Sequence, residues 1–264
     1  KQLAYYLYMA GMSGRDIFYD QKNRYNLQIR KTIETILETY QGDKNEDNYK
    51  KFVVYAKRFF FSNGIHHHYP TDKMIPEFDP AFLDTLISKS DFNKMPNEGK
   101  NIEEYIAFLK PILFDPKIDA KGVSLAADAD NVKASSSNLY EGVTQKEVEQ
   151  FYKSKIQPGV KEQPSWGLNS KVVKINGKVE EQVWKSGGMY GAAIDKIIYW
   201  LEKAVTVAEN DAQKATLEAL VKFYKTGNLK DYDDYCVLWV KDTASRIDIA
   251  NGFIEVYLDP MHKK

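Results

Sequence analysis

Residues 171–184 read Lys-Val-Val-Lys-Ile-Asn-Gly-Lys-Val-Glu-Glu-Gln-Val-Trp. Val172, Val173 and Ile175 lead into Asn176-Gly177, and Val179 to Val183 lead out. Asn-Gly accepts positive φ at both central positions of a two-residue turn, and β-branched runs suit a pleated surface. The stretch therefore predicts a β-hairpin. Most of the remaining sequence has helical periodicity, so the expected class is α+β, predominantly helical with a small β portion, and not a pure bundle.

Working towards the N-terminus, Thr144-Gln145-Lys146-Glu147 is a capping-box pattern that opens a helix to about Lys153. From Ile118 to Tyr140 the sequence is small and polar, with a short strand expected at Gly122–Ala126. Ala81–Ser88 and Ile102–Leu109 read as short helices, the second broken at Lys110-Pro111. Residues 3–19, 23–40 and 49–61 read as longer helices. Ile29, Ile33, Ile36, Leu37 and Tyr40 form one apolar stripe. The third helix stops at Ser62-Asn63-Gly64, where Gly readily takes a left-handed conformation. Towards the C-terminus, Ser186-Gly187-Gly188 opens a long helix to about Ala208, and Asn210-Asp211 starts another that ends at Thr226-Gly227. Tyr232 to Trp239 is mixed aromatic and acidic. Thr243 and Ser245 then cap an expected last helix containing Ile247, Ile249, Phe253, Ile254 and Tyr257. On that helix Asp248 and Glu255, seven residues apart, would share one face, a geometry able to hold a cationic amine such as a peptide N-terminus.

Charge and composition exclude several classes. Lys+Arg and Asp+Glu are 37 each among 264 residues, and 43% of residues are hydrophobic. That balance argues against a general nucleic-acid binder, which carries a basic excess, and the composition is that of a packed protein. No apolar run is long enough to span a membrane. One cysteine, Cys236, provides neither an internal disulfide nor a cysteine-based zinc site. No His-Glu-x-x-His is present. His66-His67-His68 cannot all face one ion, although on an extended strand His66 and His68 would share a face. Gly187-Gly188-Met189-Tyr190-Gly191 matches no phosphate-binding pattern and reads as close packing. Residue 1 is Lys, no secretory leader pattern precedes the first helix, and the chain is expected to be a segment of a longer protein. The compartment, cytoplasmic or periplasmic, is not encoded in these residues.

Three groups of strings carry a resemblance. The first is Leu3-Ala4-Tyr5-Tyr6-Leu7 with Ser13-Gly14-Arg15-Asp16, Phe61-Ser62-Asn63-Gly64-Ile65-His66-His67-His68-Tyr69 and Thr71-Asp72-Lys73-Met74-Ile75-Pro76. The second runs from Gly191 to Ala204. The third is Trp239-Val240-Lys241-Asp242 together with Asn251-Gly252-Phe253-Ile254-Glu255-Val256-Tyr257-Leu258-Asp259-Pro260. In this order they resemble the N-terminal part of the dipeptidyl-peptidase III family of zinc exopeptidases, most closely its bacterial members. The resemblance implies a two-lobed hydrolase that removes dipeptides from free N-termini of short peptides. Residues 1–264 would form its substrate-binding lobe, mixed helix and β-barrel. Zinc would be held by a His-Glu-x-x-Gly-His helix in the other lobe, outside these residues, so this chain would bind no metal and be inactive alone. Its partners would be short peptides and the zinc-binding lobe, with no nucleic acid and no membrane. The resemblance places Phe61, Ser62, Asn63 and Gly64 along the peptide subsites and Asp248 at the substrate's amine; Glu255, through the expected shared face, is a further candidate substrate-binding carboxylate. Where many members carry a tyrosine that stabilises the tetrahedral intermediate, this sequence has Ala250. The alternative reading is a non-catalytic helical module that binds peptides or proteins.

Overall fold

The computed structural model describes all 264 residues. The helices begin with α1 (Gln2–Ser13), α2 (Arg15–Lys22), α3 (Asn26–Thr39) and α4 (Asp47–Ser62), followed by α5 (Phe82–Ser88), α6 (Ile102–Phe114) and α7 (Asn131–Ala134). Then come β1 (Tyr140–Glu141), α8 (Gln145–Ser154), β2 (Ser170–Ile175), β3 (Lys178–Val183), α9 (Gly191–Val205), α10 (Asp211–Thr226) and α11 (Leu229–Lys241). The class is α+β and mostly helical, as the sequence predicts. No helix is long and apolar enough to cross a membrane.

The chain divides into two units, Lys1–Gln21 with Asn138–Lys264, and Lys22–Ser137. In the first, Asn176 and Gly177 take φ of 50° and 81° and close the expected hairpin. Strand β2 pairs antiparallel with β3 from Ser170↔Val183 to Ile175↔Lys178, and parallel with β1 at Tyr140↔Val172. The sheet has only these three strands and is open, so the barrel implied by the resemblance is not closed in this chain. Helix α9 packs against α1 and α10, and α10 against α11. Ile194, Ile197, Ile198 and Leu201 of α9 and Leu217, Leu220 and Phe223 of α10 are all buried, and the two helices pack together. At roughly 1.5–3 kcal/mol for each fully buried large aliphatic side chain, this stripe is a main source of the unit's stability. In the glycine-rich entry to α9, a Cβ at Gly188 would lie 2.5 Å from the Val183 carbonyl, so close packing is the reason for glycine there.

In the second unit, Ile29, Ile33 and Ile36 of α3 are buried, as are Phe52, Tyr55 and Phe59 of α4 and Leu109 and Leu113 of α6. Phe78 is set edge-on to Phe52, Phe82 and Phe114 at ring separations of 5.9, 6.4 and 5.3 Å. Such arrangements pair ring edges with ring faces.

Several expectations need correction. The helix expected over 3–19 is two helices parted at Gly14, whose Cβ would stand 3.3 Å from Ile197 Cδ1. Helix α6 continues past Pro111 to Phe114. Pro111 faces solvent while Ile112 and Leu113 are buried, so packing outweighs the one lost backbone bond. Gly122–Ala126 forms no strand. Only Lys121 bridges Asp72, and Ser135 Oγ, not a neighbouring strand, accepts from the Ser124 amide. Tyr232–Trp239, to which the sequence assigns no element, lies in α11, opened by the Asn228 side chain accepting from the Lys230 amide. The expected last helix is absent, and only Val256–Leu258 forms a single 3₁₀ turn.

Candidate functional site

The segment after α11 is neither helix nor strand, and side chains from elsewhere in its unit explain why. The Asp242 carboxylate accepts from the Ser245 amide (3.2 Å) and hydroxyl (2.6 Å) and turns the chain off the helix. Beyond it, Arg246 N donates to Glu209 Oε2 at 2.6 Å and Gln213 Nε2 donates to Ile247 O at 2.8 Å. Tyr224 Oη donates to Asn251 Oδ1 at 2.8 Å, and Glu255 N donates to Gln21 Oε1 at 3.1 Å. Gln21 Nε2 also donates to Phe253 O. Backbone groups that a helix would pair internally are met here by glutamine, glutamate and tyrosine side chains. Ile249 and Phe253 are buried and Ile247 is half-buried, whereas Asp248, Ala250 and Gly252 are exposed. That alternation has the period of a strand. It also corrects the expectation for Asp248 and Glu255, because seven residues is an odd step along extended backbone and the two carboxylates do not share a face.

Asp248 is held by one oxygen. Its Oδ1 accepts from Trp239 Nε1 at 2.9 Å and from Ile249 N at 2.7 Å. No protein group donates to Oδ2. Asp248 and Ile249 stand between two cavities. One, of about 410 Å³, is lined by Leu7, Tyr8, Gly11 and Met12 of α1 with Ala250 and Asn251. The other, of about 430 Å³, is lined by Trp239, Val240, Asp242, Ser245 and Ile247. An oriented carboxylate with a free oxygen between two partly apolar cavities is suited to receiving an ammonium group whose substituents extend to either side.

Phe61, Ser62, Asn63 and Gly64 lie in the other unit, at the end of α4. The helix stops where expected, but Asn63, not Gly64, takes the left-handed conformation (φ 53°), and the Gly64 amide donates to Phe59 O at 3.0 Å. Asn26, which is 0% exposed, seals the turn. Its Nδ2 donates to Asn63 O at 3.4 Å and its Oδ1 accepts from Ile65 N at 3.1 Å. A Cβ on Gly64 would lie 2.1 Å from Asn26 Nδ2. Lys22 Nζ donates to Ser62 O at 2.8 Å, and the Ser62 hydroxyl donates to Met74 Sδ at 3.9 Å. Ser62 and Gly64 thus build the turn. Phe61, 71% exposed, points out and meets the His68 ring edge-on at 6.1 Å.

The model of peptidase family M49 matches residues 119–264. The chain belongs to peptidase family M49. Among curated proteins it is similar to dipeptidyl peptidase 3 of Dictyostelium discoideum, 22% identical over 221 residues that make up 82% of this chain and 32% of that protein. Dipeptidyl peptidase 3 of Homo sapiens is 23% identical over 242 residues, 81% of this chain and 32% of that one. The M49 chain therefore spans about a third of the length of the curated relatives it matches. The solved structure of DPP III from Caldithrix abyssi shares its fold, with a TM-score of 0.59 at 15% identity over 99% of this chain and 37% of that one.

The family's zinc finds no fit among these residues. No three His, Cys, Asp or Glu side chains of the M49 chain converge to hold an ion. His66 is 4% exposed and His68 is exposed, so they do not share a face. His66 Nε2 is bonded to Asp119 O at 2.6 Å and lies 3.2 Å from Ser136 Oγ, while Nδ1 is buried without a partner. Burial holds its pKa below the ordinary histidine value, against the opposing pull of Asp119. His66 therefore serves the loop's packing. Trp239 is the residue that the spacing argument missed. Its string carries part of the resemblance, but a donor nine residues before its acceptor is invisible until the intervening chain is known to turn back.

Proposed function

We propose that this M49 chain is the substrate-binding lobe of a zinc-dependent dipeptidyl peptidase, with Asp248 holding the free N-terminal amine of a short peptide. The observation that carries the reading is the Asp248 carboxylate, fixed through Oδ1 by two donors and open at Oδ2 between two cavities. Charge-assisted hydrogen bonds to an ammonium are strong and directional. An amine held at a fixed point acts as a ruler, because it sets which peptide bond lies at the catalytic centre. The zinc and the hydrolytic groups are assigned to parts of the enzyme outside these residues, and no chemical step is assigned to this chain. Phe61 and Asn63 are assigned to peptide subsites and Ser62 and Gly64 to shaping them. Glu255 is assigned to the substrate side more weakly, since it is half-buried and off the Asp248 face. Ala250 has no hydroxyl, so the proposal gives it no part in stabilising developing charge.

The test is calorimetric titration of the chain with tetraalanine and N-acetyl-tetraalanine. The free amine should bind at least about tenfold more tightly, in line with a charged hydrogen bond of about 1.5–3 kcal/mol, and Asp248→Asn should abolish the difference. Equal affinities for the two peptides would remove Asp248 from this role.

A further inference from the structure

We propose that Trp239 is a positioning residue for amine recognition, its indole N–H orienting the Asp248 carboxylate so that Oδ2 faces the incoming ammonium; this rests on the amine-anchoring reading of Asp248. Of the two donors to Oδ1, the Ile249 amide is the adjacent residue's own, and it moves with the segment that carries Asp248. Trp239 is the long-range donor, reaching from the last turn of α11 to Asp248 at 2.9 Å. A carboxylate with one local bond retains rotation about its side-chain torsions. A second donor from a separate, packed element removes that rotation and fixes which oxygen stays free.

The surrounding chain is arranged to keep the two groups together. The Asp242 carboxylate caps Ser245 through two bonds, and Asn210 Nδ2 donates to Ser245 Oγ at 2.9 Å, which fixes the path between the indole and the aspartate. The same indole lines the 430 Å³ cavity with Val240 and Ile247. Its ring therefore bounds the space in which the ammonium's neighbouring atoms sit, while its N–H leaves the opposite carboxylate oxygen exposed. The arrangement is sterically specific, because a ring of the same shape without the N–H would keep the cavity and lose the orientation.

The experiment uses that distinction. The chain carrying 3-benzothienylalanine at position 239, which has the indole's shape with sulfur in place of N–H, is compared with Trp239→Phe and with the unsubstituted protein. Each is titrated with tetraalanine and N-acetyl-tetraalanine, with a thermal midpoint as control. Both substitutions should cut the preference for the free amine about threefold to tenfold, as loss of one orienting charged hydrogen bond implies, and the benzothienyl ring, which keeps the cavity's shape, should leave binding of the acetylated peptide unchanged. A full preference for the free amine in the benzothienyl protein overturns the inference while leaving Asp248 in place. Parallel weakening of both peptides would show that Trp239 only supports the fold and would overturn it equally. If the unsubstituted chain fails to distinguish the peptides, the amine-anchoring reading falls and this inference with it.

Discussion

The turn at Ser62–Ile65 and the strap at Asp242–Glu255 are both non-helical segments that follow a helix, and they are held in opposite ways. The turn is closed by its own backbone and by one buried amide, Asn26, with Lys22 on the Ser62 carbonyl. The strap is held from outside by Glu209, Gln213, Tyr224 and Gln21. A segment that closes on itself depends on conformation at one or two residues, whereas a segment held by others depends on many contacts of modest strength. The first should fail abruptly and the second by degrees.

The sharpest way to break the comparison is Gly64→Ala. Its Cβ would collide with Asn26, and φ of 151° is a conformation that side chains rarely adopt. The loss should be about 2–4 kcal/mol by denaturant unfolding, and a loss under about 1 kcal/mol would mean that the turn relaxes freely. Gln213→Ala is the matching cut in the strap. Gln213 is 0% exposed and bonds both Ile247 O and Glu209 N. Leaving those groups unmet should cost about 1–3 kcal/mol. Amide exchange should quicken over residues 245–251 with the end of α4 unaffected, and uniform quickening would erase the distinction.

The smallest effect is a pH dependence confined to the turn's unit. His66 is packed against Asp119 O with Lys22 and Lys73 nearby, and its pKa is lowered chiefly by burial. A histidine with a depressed folded pKa binds its proton more readily when unfolded. Its contribution is thus complete above the ordinary value near 6.5 and is lost as pH falls from there towards the folded pKa. Unfolding measured between pH 7.5 and 5 should show stability falling with acid, and His66→Gln should flatten that slope. An unchanged slope in the variant would assign the dependence to other groups.

These two segments also mark the limit of reading the sequence alone. Asn63-Gly64 and Asn176-Gly177 were legible because a left-handed backbone leaves a local signature in residue type. The capping box at Thr144 and Glu147 was legible for the same reason, and both of its bonds are present. The strap was misread. Ile247, Ile249 and Phe253 recur in steps of two and four, which fit a strand, but Ile254 and Tyr257 completed a helical pattern as well. The deciding interactions come from Gln21, Gln213 and Tyr224, between 27 and 234 residues away in sequence. No local period encodes those partners. Family membership was legible because joint strings survive where single contacts do not, and the match over residues 119–264 bears it out.

The alternation along the strap has an evolutionary corollary. Ile249 and Phe253 face inward and anchor the segment, so Ala250 and Gly252 on its outer side are relieved of packing duty, and Asp248 is tied only to Trp239 and Ile249. Selection can exchange those outer groups one at a time, altering what the surface recognises while the architecture beneath is left intact. The side chain at Ala250 could be exchanged in this way without first redesigning the interior.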